Sequence, residues 1–277
     1  QLGAHTAALR RALRDGGVAA EEAALFSLRL QPHVAAPAAV AGGGAAAGGA
    51  AEALDALQPL QLHYARPASL ALLLGDEALR CHEDTFGWLL HVRRAKWALE
   101  TLPPHNLAHA WRLLRAELLH LVGTLYAHLA LGVHAEWSAF EARWPGLRHV
   151  DAFRTAHLDF ARRVAARCLL RPSLAPVLRA LRLMLGLALQ LRAQLQPDHH
   201  GNGSDMQPAA TNAGHRPSNA AVARTAHRWR LELRQGVSFV LRALQAAAAR
   251  GDEPQLLELS EQLDSNSYYS SSGQSAG

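Results

Sequence analysis

The chain has 277 residues and 29.8 kDa, room for one large domain or two small ones, and its 49% apolar content excludes wholesale disorder. Lys+Arg 28 against Asp+Glu 23 gives a formal net charge of +5, but Lys96 is the only lysine. The arginines are spread along the chain and alternate with acids, which reads against the concentrated basic stripe of a nucleic-acid binder.

Taken in order, residues 1–33 hold two short helical stretches, Ala7 to Arg14 and Ala19 to Leu30. An Ala/Gly-rich linker follows over 34–51. No Gly-Lys-Ser/Thr follows those glycines and no strand precedes them, so they do not form a phosphate loop. Leu60, Leu62 and Tyr64 alternate with Gln61 and His63. After Arg66-Pro67 comes the apolar run Leu70 to Leu74, and two strands around that turn predict a small hairpin. From Asp76 the period becomes helical. Phe86, Leu90 and Trp97 fall within about 40° of each other at 100° per residue and form the expected core face, up to Pro103-Pro104.

The longest helix is expected from Asn106 to about Trp144. Its stripe comprises Trp111, Leu114, Leu118, Leu121, Leu125, Leu129, Val133, Trp137, Phe140 and Trp144, over a length on the order of 55 Å. Further helices are expected over Asp151 to Leu170, from Pro172 through Leu195, over about Ala220 to Ala249, and over Pro254 to Leu263. Residues 197–219 read as a flexible insertion loop and 270–277 as a disordered tail. The fold class is therefore all-α: an antiparallel bundle of long helices with a small β-hairpin before the first of them, occupying residues 52–269.

Reactive constellations are sparse. His105 and His109 lie four apart but lack the glutamate and third ligand of a zinc protease site. His199 and His200 fall in the expected loop, where nothing orients them. No serine has the glycines of a nucleophile elbow, and Glu83-Asp84 reads as solvated charge. Cys81 and Cys168 stand far apart, as suits core packing in a reducing compartment. No uninterrupted apolar run approaches the roughly 20 residues of a membrane span. The chain opens at Gln1 without a charged-then-apolar leader and is expected to be a piece of a longer protein. These features read against an enzyme, a cofactor, a metal, nucleic acid or a membrane.

Charged residues near apolar faces are more informative. Arg93 projects within about 20° of Phe86, and Arg115 and Glu136 fall beside the long helix's stripe. Either these snorkel or pair with an acid such as Glu117, or they mark a partner-binding surface, where arginine is over-represented. Arg228, Arg230, Arg234 and Arg242 lie on the expected outer faces of the 220–249 helix, as solvated charge or as contacts for an acidic partner.

Local strings then resemble a known family. Leu60-Gln-Leu-His-Tyr64, Pro67-Ala-Ser-Leu-Ala-Leu-Leu-Leu74 and Thr85-Phe-Gly-Trp-Leu-Leu-His-Val-Arg-Arg-Ala-Lys-Trp-Ala-Leu99 resemble one continuous segment of the gamma-tubulin complex components. Arg115 to Leu129, Glu136 to Arg143, Asp151 to Phe160 with Cys168-Leu-Leu170, and Leu263-Asp-Ser-Asn-Ser-Tyr-Tyr269 continue the resemblance in order. Arg66-Pro67-Ala68 departs from the family's Trp-Pro-Leu, and Ser265 stands at its terminal Phe. The Arg167-Cys-Leu-Leu170 string and the end of the 174–195 helix lean toward the fifth or sixth component.

The resemblance implies a C-terminal gamma-tubulin-binding domain with no catalytic step and no cofactor. It implies gamma-tubulin and other complex components as partners. The implied setting is cytoplasmic, at microtubule-organising centres and spindle poles, where lateral assembly templates microtubule growth. Arg93, Arg115, Arg228, Arg230 and Arg234 are the residues expected to face the partner. The alternative reading is a helical scaffold with a different protein partner.

Overall fold

The computed structural model describes residues 2–30, 60–103, 107–195, 219–251, 254–265 and 267–271. The expected linker 34–51, all of the expected loop but Asn219, and His105, His199 and His200 lie outside the described residues.

The N-terminal segment is helix, helix and strand: α1 Leu2–Asp15, α2 Ala20–Ala24 and β1 Phe26–Leu30. Strand β2, Leu60–Tyr64, pairs antiparallel with β1 in the register Phe26 to Tyr64 and Leu28 to Leu62. Two expectations are corrected here. The stretch from Ala19 is helical only to Ala24, and the partner of Leu60–Tyr64 is β1 rather than Leu70 to Leu74. Phe26-Ser-Leu-Arg-Leu30 matches the period-two alternation of β2, whereas the 70–74 run does not alternate and has no polar face for a two-stranded sheet. Pro67 instead leads into the short helix α3, Ala68–Ala71. The Phe26 and Tyr64 rings lie 4.9 Å apart. Helix α1 braces the ribbon: Arg10 Nε donates to the Phe26 carbonyl at 2.9 Å, and Thr6 Oγ1 accepts from the Leu28 N–H at 3.2 Å.

The bundle begins with α4, Asp76–Glu100, and α5, His109–Arg143, which continues as a 3-10 turn over Trp144–Gly146. Then come α6 Val150–Arg167, a 3-10 turn at Pro172–Leu174, α7 Ala175–Leu195, α8 Asn219–Ala249, α9 Pro254–Leu263 and α10 Tyr268–Ser271. Helix α10 begins where the family-like terminal string ends and runs into the stretch expected as tail. Gly251, at φ +81°, takes the left-handed position after α8 that glycine adopts without a Cβ penalty.

Helix α4 packs against α5, α6 and α7; α8 packs against α5, α7 and α9. The main core joins Trp88, Val92 and Leu99 of α4 to Leu114, Leu118, Leu121, Leu125 and Leu129 of α5. Leu181 and Leu185 of α7, Leu233, Val237, Val240 and Leu244 of α8, and Leu256, Leu259 and Leu263 of α9 complete it. The expected stripes of α5, α7 and α8 thus face the core, except that Trp137 and Trp144 remain half-exposed. The expected face of α4 does not. Its buried stripe is Trp88, Val92, Ala95 and Leu99, whereas Phe86 and Leu90 are half-buried and Trp97 is 49% exposed. Both sets recur at three and four, so periodicity alone could not choose between them.

A second, smaller cluster joins Phe140 at the far end of α5 to Ala156, Phe160 and Val164 of α6, with Phe140 and Phe160 stacked at 4.9 Å. Averaged over 18 residues, segments 109–146 and 150–195 reach the length and hydropathy of a membrane span. The second segment is two helices divided at Pro172, and both contribute side chains to the clusters just described.

Candidate functional site

Arginine side chains sort into those that fasten the bundle and those that line its surface. Glu117, half-buried on α5, takes four donor groups from three residues on one oxygen. Arg230 Nε and Nη2 reach Oε1 at 3.1 and 2.5 Å, Arg234 Nη2 at 3.3 Å, and the Tyr268 hydroxyl at 2.7 Å. Arg234 also donates to the Tyr268 hydroxyl, and its guanidinium lies 5.0 Å above that ring. Arg230 and Arg234, four apart on α8, are therefore turned toward α5 and the terminal helix rather than outward. Burial pushes the Glu117 carboxyl up, but the hydrogen bonds from Arg230 and Tyr268 and the two positive charges hold it below the ordinary glutamate value. The adjoining Tyr269 hydroxyl, buried and facing that carboxylate, is pushed up to about 12.

Near the other end of α5, Glu136 is buried, and Arg163 Nε and Arg167 Nε of α6 reach its two oxygens at 2.9 and 3.0 Å. Gly132 makes the approach possible, because a Cβ there would sit 3.3 Å from the Arg167 Cβ. Arg115 Nε donates to the Leu99 carbonyl at 2.9 Å and so satisfies one of the orphan acceptors at the end of α4. The pairing of Glu136, raised by the sequence as a structural ion pair, is realised with arginines of the next helix.

The two remaining arginines of the expected set are exposed. Arg228 lies on the outside of α8, 3.9 Å from Glu232. Arg93 projects from α4 with its guanidinium 5.5 Å above the Tyr126 ring, where Lys96 also approaches, at 5.8 Å. There Phe86, Leu89, Leu90 and Arg93 of α4 face Tyr126, Ala130 and Val133 of α5 across an open groove of about 440 Å³. One turn further along α4, Arg192 of α7 stacks on Trp97 at 4.0 Å. The set is therefore not one patch: Arg230 and Arg234 share an acid, while Arg93, Arg115 and Arg228 each have other surroundings. The sequence singles out Arg93 but not Tyr126, which falls outside the expected apolar stripe of α5.

Two pairs of titratable groups elsewhere, His82 with His157 and Cys81 with Cys168, are half-buried or buried. His82 Nε2 and His157 Nε2 lie 3.3 Å apart between α4 and α6, beside Phe160. Burial, and then the charge of His157, pushes His82 down to about 4, and burial also lowers His157. Burial raises the Cys81 thiol and pushes Cys168 up to about 12, the opposite of what activates a cysteine. Among the described residues no three His, Cys, Asp or Glu side chains converge as metal ligands do.

Comparison with known proteins gives one assignment. The family model described as gamma tubulin complex component C-terminal matches residues 6–269. That span includes the α1–β1 segment as well as the long helices. No curated protein matches the chain.

Proposed function

Because the chain belongs to the gamma-tubulin complex component family, we propose that it binds gamma-tubulin and helps template microtubule nucleation at microtubule-organising centres. The observation that carries this reading is the match of the family's C-terminal model from residue 6 to residue 269. The physics is compatible with a positional role. A template must hold its subunits in register, and a long α5 fastened near both ends to neighbouring helices suits that demand. In this reading the chain makes and breaks no bond; other complex components pack beside it, and the gamma-tubulin supplies the growing end.

A tubulin-type partner is acidic, so the contact is assigned to exposed cations rather than to those already held inside the bundle. Arg228 is 60% exposed and only loosely paired, and it is the contact we assign. Arg115, Arg230 and Arg234 support it by keeping the helices in place. The test is co-elution of purified gamma-tubulin with the folded chain at low salt, followed by a nucleation assay. Retention that weakens severalfold in Arg228→Glu, with melting unchanged, is the expected result. Failure of gamma-tubulin to co-elute overturns the reading and favours a helical adaptor with another partner.

A further inference from the structure

Helix α4 carries two apolar stripes on opposite sides, and only one enters the core. The other is Phe86, Leu90 and Trp97 with Arg93 among them; Phe86, Leu90 and Arg93 line the groove toward Tyr126, Ala130 and Val133 of α5, and Trp97 follows one turn beyond. From Phe86 to Arg93 the α4 wall of this groove extends about 10 Å at 1.5 Å per residue, or two helical turns. A groove of that length between two helices is the shape into which an amphipathic helix lays its apolar face. Scattered exposed apolar side chains need no explanation, but a continuous row lining one depression does.

Charge indicates what kind of helix fits. None of the seven residues lining the groove is acidic, and one is Arg93. Lys96 and Arg93 both lie over Tyr126, and Arg192 lies over Trp97. The one acid paired at this rim among the described residues is Glu100, which takes Lys96. Stacking on a ring uses no N–H donor, so Arg93 and Arg192 offer guanidinium groups beside apolar anchor sites. We propose that the α4–α5 groove docks an acidic amphipathic helix of a partner protein, with apolar side chains seated between Phe86, Leu90, Tyr126 and Val133 and carboxylates on Arg93 and Arg192. This inference does not rest on the gamma-tubulin reading, which uses the outer face of α8.

The probe is a fluorescent helical peptide of about 15 residues, with leucines at i, i+4, i+7 and i+11 and glutamates flanking them. Its twin carries lysine for every glutamate. Anisotropy against the full chain is expected to give at least about tenfold tighter binding for the acidic peptide, a difference of about 1.4 kcal/mol. Arg93→Glu should abolish that preference while melting as the wild type does, since Arg93 is exposed. Leu90→Asp should remove binding of both peptides; because Leu90 is half-buried, Arg93→Glu keeps the test decisive should that variant not fold. Arg228→Glu should leave the affinity unchanged. Equal binding of the two peptides, indifference to Arg93→Glu, or an equal loss with Arg228→Glu overturns the proposal. So does a concentration-dependent dimer of the chain that Arg93→Glu dissociates, which would make the occupant a second copy.

Discussion

Helix α5 carries one glutamate near each end, Glu136 buried and Glu117 half-buried, each held by two arginines, yet the two assemblies do different work. Glu136 is fastened to Arg163 and Arg167, which the chain reaches within about one helix and a turn. Glu117 is fastened to Arg230, Arg234 and Tyr268, which lie more than a hundred residues further on. The first closes an αα-hairpin and is local. The second ties the first half of the bundle to its last helices, so it exists only once the whole chain has folded. Similar chemistry thus serves in one place to orient neighbours and in the other to lock the topology, and the difference lies in the loop entropy each has to overcome.

That contrast can be tested from the largest effect downward. Leu125, between the two glutamates and fully buried, belongs to the core that both assemblies depend on. Leu125→Ala is expected to lower stability by about 2–5 kcal/mol in urea denaturation; an unchanged midpoint would mean that α5 is not central. Glu117→Ala leaves two half-buried guanidinium groups without their acid and should cost about 2–3 kcal/mol, less than a fully buried pair because both arginines are partly solvated. Hydrogen exchange should quicken over 254–271 in that variant and not over 150–167. Glu136→Ala should cost less, about 1–2 kcal/mol, with the opposite distribution of exchange, because Arg163 and Arg167 are 40% and 30% exposed and recover water. If both variants loosen the same residues, the distinction between local and closing contacts fails.

Smaller effects sharpen it. Tyr268→Phe removes one donor from Glu117 and should cost about 1 kcal/mol, with no change in exchange over α6. The Glu117 carboxyl is lowered in the folded chain from an ordinary 4.5. Its contribution is therefore present above that value and lost as pH falls through the lower folded one. Glu117→Gln should flatten that acid limb, and an unaltered limb would remove the carboxylate from the account. His82 gives the opposite assignment of groups with the same outward trend. Held at about 4 against 6.5, it binds its proton more weakly folded than unfolded. Stability should decline as pH falls from 6.5 toward 4, and His82→Gln should lessen that decline. A decline of equal size in the variant would mean that another group carries it.

Much of this fold could be read without coordinates. The spacing from Trp111 to Phe140 announced one long helix, Pro254–Leu263 was located at both ends, and the buried faces of α7 and α8 followed from threes and fours. The strand Leu60–Tyr64 was legible too, but not its mate. A two-residue period says that a partner strand exists without saying where, and the correct one lies beyond a 29-residue stretch from Gln31 to Pro59. Arg93 stands out in the sequence because it sits among apolar neighbours. Glu117 was named as an acid able to take an arginine, but Arg230 and Arg234 were placed on the outer face. Nothing in their own helix says which flank another helix will cover.

The amino-acid sequence by itself determined the helical periods, the family and the stiffness that follows from one 35-residue helix. These depend on interactions within a few residues or on collinear strings, and both survive in a one-dimensional record. Only the tertiary structure decided which of the two stripes of α4 is buried, which strand completes the ribbon, and which arginines are fastened inside and which face solvent. Each of those is a choice between surfaces of nearly equal apolarity or charge, and the choice is made by whichever neighbour arrives to exclude water from one of them.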